Sequence, residues 1–354
     1  MPDQDPDQND EAPKPAPAGT LRARPGTVRP PMPAGPVRPD APPPTRPRRP
    51  RLERGEGAPA PEPLHRATAV GGGSSRLSPA LTVVVAAVRK AGKALLKDFG
   101  EVENLQVSMK GPGDFVSQAD LKAEKTLRTE LARARPNFGF LMEESGLSGN
   151  EDWEYRWVVD PLDGTTNFLH GIPHWAISVA VEKRGNDRTP DEVVAGVIYN
   201  PAADELFWAE KGGGAFLNDR RLRVSGRRNM LDALFATGIP FASVPRKAEF
   251  SSILARLMPQ VSGVRRFGAA ALDLAWVAAG RYDGFWELGL NKWDIGAGLL
   301  MVKEAGGFVS DPEGGDAWTD GHVVAGNPIL QPQLRAVVSE GIAAVAAARG
   351  RTGG

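Results

Sequence analysis

The chain contains no cysteine, which excludes disulfides, thiolate nucleophiles and thiolate metal ligands together. Histidine is scarce, at four in 354 residues. His170 and His174 stand four apart, but Gly171 and Pro173 between them deny the pair a common helical face, so imidazole ligation of a metal is not expected. Net charge is absent as well: 43 lysines and arginines balance 43 aspartates and glutamates, so no global field steers the molecule towards nucleic acid or membrane. No apolar run approaches the roughly 20 residues of a membrane helix, and the N-terminus lacks the apolar core of a secretory signal. A soluble, cytoplasmic chain with no membrane partner is expected.

Proline is plentiful but badly distributed, with 19 of the 32 in residues 1–76. That stretch has almost no aliphatic periodicity, and residues 38–54 are rich in arginine and proline. Too little apolar surface is present to offset the entropy of ordering it, so a disordered tail over 1–76 is expected. The folded part is expected over 77–349, in two halves, 77–230 and 231–349.

The chain is organised around Trp157-Val158-Val159-Asp160-Pro161-Leu162-Asp163-Gly164-Thr165-Thr166-Asn167-Phe168. A β-type apolar run ends in a carboxylate, Pro161 stops any helical continuation, and a second carboxylate follows three residues later. Gly164 supplies a permissive turn, and Thr165 to Asn167 offer hydroxyls and capping side chains. A strand entering a helix N-terminus sets unpaired backbone N–H groups beside two carboxylates. Bare N–H groups favour phosphate and paired carboxylates favour Mg²⁺.

Around that centre the periodicity predicts two helices and a mostly antiparallel sheet, then alternating strands and helices. The first helix opens at Ser78-Pro79, with Leu81, Val84, Val88, Leu95 and Phe99 at helical spacing. A connection runs through Lys110 and Asp114 to a second helix near Asp120. Phe138 to Met142 reads as a short strand ending at Glu143-Glu144. Trp175, Ile177, Val179 and Val181 alternate with smaller residues in a long strand, and Asn218-Asp219 reads as a hairpin turn. Beyond residue 231, strands are expected at 234–237, 263–267, 284–287 and 323–325, and helices at 249–260, 270–279, 294–305 and 328–347. Layered α/β architecture with two sheets follows.

The central twelve residues resemble the Asp-Pro-Leu/Ile-Asp-Gly-Thr signature of the inositol monophosphatase family, and Trp293-Asp294-Ile295-Gly296-Ala297-Gly298 with Glu304-Ala305-Gly306-Gly307 resembles its second signature. Glu143-Glu144 matches the family's Glu pair, with Met142 where Gly is usual. Ser117-Gln118-Ala119-Asp120 matches its Ser/Thr-x-x-Asp segment, and Gly268-Ala269-Ala270 and Trp286-Glu287 match its substrate side. Gly296 stands where Ala is usual. The resemblance covers about residues 77–328 and implies an α-β-α-β-α five-layer sandwich of the Mg-dependent, Li⁺-sensitive phosphatase type. It implies two or three Mg²⁺ per subunit, held by Glu143, Asp160, the Leu162 carbonyl, Asp163 and Asp294. Glu143, with Thr165 oriented by Asp120, would activate water; Asp163, Gly164, Thr165, Ala270 and Glu287 would hold substrate. The implied reaction is hydrolysis of a phosphate monoester, myo-inositol 1-phosphate first. Nucleotide 3′-phosphates, histidinol phosphate and fructose 1,6-bisphosphate are alternatives. A homodimer is implied too. Bacterial members resemble proteins associated with the RNA and transcription machinery, with which the arginine-rich tail is consistent.

Overall fold

Helix α1 (Pro79–Phe99) starts where the sequence marks it: the Ser78 hydroxyl accepts the Leu81 N–H, and Pro79 occupies the first turn, where no N–H is needed. The computed structural model describes residues 77–101, 107–111, 114–241 and 245–352; the tail expected over 1–76 lies outside the described residues. The stretch read as a connection through Lys110 and Asp114 is instead a hairpin, β1 (Val107–Gly111) with β2 (Asp114–Ser117). Helix α2 (Gln118–Ala134) follows, capped by Ser117. Asp120, near which the helix was expected to open, lies three residues past the cap, and its carboxylate accepts the Ser117 N–H.

An eight-stranded sheet comes next, built from β3 (Gly139–Met142), β4 (Gly146–Gly149), β5 (Tyr155–Asp163), β6 (Ala176–Lys183), β7 (Glu192–Asn200), β8 (Glu205–Glu210), β9 (Gly214–Leu217) and β10 (Arg220–Arg221). Its order is β10-β9-β8-β7-β6-β5-β3-β4, antiparallel throughout except for the parallel pair β3/β5. Asn218, at φ 51, turns β9 into β10 as expected. Strand β4 is too short and glycine-rich to announce itself in the sequence. The five-residue helix α3 (Thr165–Leu169) joins β5 to β6.

The second sheet holds β11 (Leu234–Thr237), β12 (Gly263–Arg265), β13 (Gly284–Glu287), β14 (Phe308–Ser310) and β15 (Val323–Gly326) in the order β12-β11-β13-β15-β14. Strands β11, β12 and β13 are parallel; β15 runs antiparallel to both β13 and β14. Strand β14 and the short α7 (Ala317–Asp320) were not expected. The remaining helices are α4 (Lys247–Leu257), α5 (Ala270–Ala278), α6 (Lys292–Glu304) and α8 (Leu330–Thr352).

Three apolar clusters separate five layers. Helices α1 and α2 bury Leu81, Val88 and Leu127 against Trp157, Val159, Ile177 and Val179 on one face of the large sheet. Helices α5 and α6 lie between the sheets, against Val158, Ala176 and Ala180 on one side and Phe285, Val323 and Ala325 on the other. Helices α4 and α8 cover the far face over Phe235, Trp286 and Val324. The α-β-α-β-α expectation holds. The small residues alternating with the large ones in β6 have a reason: they face α6, whose backbone comes very close. A Cβ on Gly196 of β7 would lie 2.8 Å from the Ala297 Cα, and one on Gly298 would lie 2.5 Å from the Leu274 Cβ. Gly296 faces Ala180 and the Trp318 ring, each 3.1 Å from a hypothetical Cβ, so an alanine there would crowd both. Among the described residues, no helix is long and apolar enough to cross a membrane.

Candidate active site

Two adjacent parallel strands deliver the first carboxylates. Met142 pairs with Val159 across β3/β5, so Glu143 and Asp160 leave the same end of the sheet together, and the Glu143 N–H donates to the Val159 carbonyl at 3.1 Å. Met142 is fully buried among the α1/α2 core residues. Successive strand residues point to opposite faces, so the bulky residue standing where Gly is usual leaves Glu143 on the open side.

The strand does not stop at Asp160, as its apolar run suggests, but continues to Asp163 through a bulge. Asp160 pairs with Ser178 and Asp163 with Ala176, so three steps on β5 oppose two on β6. Residues an odd number apart normally face opposite ways along a strand; the one extra residue brings Asp163 round to the side of Asp160. Pro161 is tolerated in the bulge because no ladder N–H is required there. The Asp160 carboxylate accepts the Leu162 N–H at 2.9 Å, which locks the bulge. Gly164, at φ 89, then turns the chain into α3. The capping role expected of Thr165 to Asn167 is not what these side chains do. Thr165 Oγ1 lies 3.1 Å from Asp120 Oδ1 and 3.0 Å from the Leu162 carbonyl, either of which can accept its hydrogen bond. The Asn167 amide donates to the carbonyls of His174 and Phe267, fastening α3 to the loop ahead of α5.

The second half supplies the rest. Asp294 lies near the start of α6, past the cap position now held by Asn291, and accepts the Asn291 N–H at 2.7 Å. Asp163 accepts the Ala271 N–H at 2.8 Å at the start of α5, beside Ala270. Glu287 ends β13 and accepts a backbone bond from Gly238. Each predicted site residue therefore lies in or beside one region.

Electrostatics sets this region apart. Burial raises the Asp160 carboxyl well above the usual range, and the charges of Glu143, Asp163 and Asp294 raise it further. Asp163 is pushed up to about 7, first by burial and then by Glu143 and Glu287, against the lowering effect of the Ala271 N–H. Asp294 reaches about 8, through burial and then the charges of Asp163 and Glu143, while the Asn291 N–H lowers it. Glu287 reaches about 7, through burial and the Asp294 charge, with Arg266 and the Gly238 N–H opposing. Burial raises Asp120 too, partly offset by bonds from Ser117 and Thr165. Buried carboxylates that repel one another are satisfied by a cation. Among the described residues, no three of these side chains converge as a metal shell. The donor chemistry is nonetheless all oxygen and anionic, which fits a hard divalent ion.

One residue was missed. Asp273, in α5, is 1 % exposed, leaves Oδ1 without a hydrogen-bond partner, and is raised well above the usual range by burial and then by Glu287 and Asp163. Its signal was available: it is the one charge in the run Ala-Ala-Leu-Asp-Leu-Ala-Trp-Val-Ala. The histidines lie elsewhere in kind. His170 Nδ1 meets the Thr166 carbonyl, and His174 sits against Phe267 and Trp276, where burial pushes it down to about 4.

Comparison with known proteins gives the family. The sequence model of the inositol monophosphatase family matches residues 76–343. The chain is 58 % identical over 265 residues to an inositol-1-monophosphatase of Mesorhizobium japonicum, covering 75 % of this chain and 97 % of that one. It is 43 % identical over 256 residues to the Nus factor SuhB of Pseudomonas aeruginosa, covering 71 % and 92 %. The crystal structure of the extragenic suppressor protein suhB from Bartonella henselae superposes with a TM-score of 0.71 at 56 % identity, covering 75 % of this chain and all of that one.

Proposed function

Because the chain belongs to the inositol monophosphatase family, a family of phosphatases, we propose that it hydrolyses myo-inositol 1-phosphate, or a polyol phosphate close to it, to the free polyol and phosphate. The observation that carries the reading is the cluster of carboxylates, Asp160 buried and Glu143, Asp163 and Asp294 half-buried, whose shared repulsion calls for a cation. Those four and the Leu162 carbonyl would hold Mg²⁺, which when bound supplies positive charge to the phosphoryl oxygens and acidifies water.

The chain's own groups do the rest. The Thr165 hydroxyl has its single proton directed at Asp120 or the Leu162 carbonyl, so its oxygen is left to accept from the attacking water. Asp120, raised by burial, is suited to take the proton passed along that path. The turn at Gly164 presents the Gly164 and Thr165 N–H groups to the phosphate, where α3 begins. Water adds to phosphorus as its proton passes towards Asp120, the ester P–O bond breaks, and the polyol oxygen leaves, taking a proton from solvent water while Asp120 returns its own to solvent. Ala270 and Glu287 border the leaving polyol, and a carboxylate can accept two bonds from neighbouring hydroxyls.

The test is phosphate release with Mg²⁺ from inositol, sugar, nucleotide and aryl phosphates. Glu287→Gln should lower the ratio of kcat/KM for myo-inositol 1-phosphate over an aryl phosphate by an amount equivalent to roughly 1–3 kcal/mol. An unaltered ratio would remove the inositol assignment. Inhibition by Li⁺, a homodimer and a cytoplasmic location belong to the same reading. A second reading, association with RNA and the transcription machinery, has in its favour the relative named as a Nus factor and the arginine-rich stretch at 38–54. RNA binding through that stretch should weaken steeply with salt, whereas turnover should not.

A further inference from the structure

Strand β6 turns a row of small residues towards α5 and α6. Ala176 and Ala180 belong to the core between the sheets, and Ser178 stands between them on the same face, because side chains alternate along a strand. Alanine would fill that place as well as serine does, so the hydroxyl is what Ser178 adds. The residue is 1 % exposed, and its Oγ has no hydrogen-bond partner among the described residues. The other two buried residues of this type, Ser117 and Thr237, both donate, to the Asp120 carboxylate and to the Gly238 carbonyl. A buried hydroxyl left unpaired is destabilising, so Ser178 calls for a partner.

The ladder supplies one. Ser178 pairs with Asp160 on β5 and with Ile198 on β7. Residues directly opposed in an antiparallel pair share a face, with their Cβ atoms about 4.5–5.5 Å apart. Of the four positions next to Ser178 on that face, Asp160 and Ile198 across and Ala176 and Ala180 along, only Asp160 carries an acceptor side chain. Its carboxylate takes the Leu162 N–H on Oδ1, which leaves lone pairs to spare. A backbone N–H from the bulge and a hydroxyl from the neighbouring strand can thus hold Asp160 together. Asp120 is already held in this way, by the N–H and the hydroxyl of Ser117.

We propose that Ser178 is a positioning residue for the cation, its hydroxyl donating to Asp160 when that carboxylate holds Mg²⁺ and so fixing the rotamer in which Asp160 faces the ion. The hydroxyl has no partner in the metal-free fold. Its bond is therefore made only in the loaded state, and its whole effect falls on affinity for the ion. Hydrogen bonds to a ligating carboxylate tighten a metal site in this way, because the ligand is oriented before the ion arrives or as it does. The proposal rests on the phosphatase reading above.

The test is Ser178→Ala in the full chain, read by calorimetric titration with Mg²⁺ and by melting in the presence of a chelator. The change removes one oxygen and adds no bulk, so the metal-free variant should melt no lower than wild type. Its dissociation constant for Mg²⁺ should rise roughly tenfold. With 4-nitrophenyl phosphate as substrate, the Mg²⁺ concentration giving half the maximal rate should rise by a similar factor, while the rate at saturating Mg²⁺ falls less. An unaltered dissociation constant overturns the proposal. So does a metal-free variant that melts well below wild type or does not fold, which would give the hydroxyl a structural partner instead. A wild type that neither takes up Mg²⁺ nor releases phosphate from any ester would remove the phosphatase reading and this role with it. A wild type that does both, beside a variant of equal Mg²⁺ affinity, removes this role alone.

Discussion

Replacing Gly238 by alanine tests how Glu287 is held. Gly238 is not among the glycines at positive φ, so an alanine backbone is tolerated there and the cost is one of space alone. The added Cβ would fall 1.9 Å from Glu287 Oε1 and 2.1 Å from its Cδ, where non-bonded contact begins at roughly 3.5 Å. The carboxylate must therefore withdraw by roughly 1.5 Å, a displacement comparable to the difference between a hydrogen bond and none. It also gives up the Gly238 N–H that now lowers its pKa. A hydrogen bond to a charged group is worth roughly 1.5–3 kcal/mol, equivalent to roughly ten- to a hundredfold. Gly238→Ala should therefore lose that factor in kcat/KM for myo-inositol 1-phosphate relative to 4-nitrophenyl phosphate, with a melting temperature close to wild type. Because the lost N–H favoured the charged form, the acidic limb of the inositol phosphate profile should also move above the value of about 7 set by Glu287. An unaltered substrate ratio would refute the idea that Gly238 exists to seat this carboxylate, as would equal losses on both substrates.

Asp163→Asn should abolish turnover while the metal-free protein melts no lower than wild type, because the substitution removes a half-buried carboxyl whose pKa is raised to about 7 by desolvation and like neighbours; a near-normal rate at ordinary Mg²⁺ would count against the assignment. The raised carboxyls also set a pH dependence. Asp163 and Asp294, at about 7 and 8, hold protons in the folded state that the unfolded chain has released, so metal-free stability should fall as pH rises from about 4 to about 8. Added Mg²⁺ should reverse the trend by binding the ionised folded form, and chemical denaturation with and without chelator reads both. Glu182→Ala should destabilise by roughly 3–5 kcal/mol in urea, since this fully buried carboxylate partners Arg156, Lys292 and the Trp318 indole. Loss of less than 1 kcal/mol (about the worth of a surface pair) would make the network ornamental.

What could be read from the chain was what is locally encoded. Asp160 to Thr165 carries its own geometry, since a proline, a bulge and a left-handed glycine act within six residues. Glu143 was legible because an apolar strand runs straight into it. Strands β4 and β14 were not, because Gly-Leu-Ser-Gly and a Phe-Val-Ser that follows two glycines lack the apolar run that marked β11 and β13 at similar length. The helix starts were misplaced by a few residues at Asp120 and Asp294: an acid in the first turn and an acid at the cap have the same local appeal, and only the backbone decides. The bond from Ala271 to Asp163 spans 108 positions and has no local trace at all. Asp273 did leave one, a charge stranded in an apolar helix, and its meaning depended on neighbours no local window contains.

The order of the second sheet carries a consequence for biosynthesis. Strand β15 is the last strand made and lies between β13 and β14, both made before it. Until residues 323–326 leave the ribosome, β13 presents an open edge, and the carboxylate at its end faces water rather than a finished cleft. The proposed active site is thus completed by the chain's final tenth, although Asp160 and Asp163 are synthesised more than 150 residues earlier. A nascent chain stalled before β15 would carry every carboxylate of the proposed site without the sheet that seats Glu287, and its exposed edge would be the surface on which chaperones or neighbouring chains compete with completion.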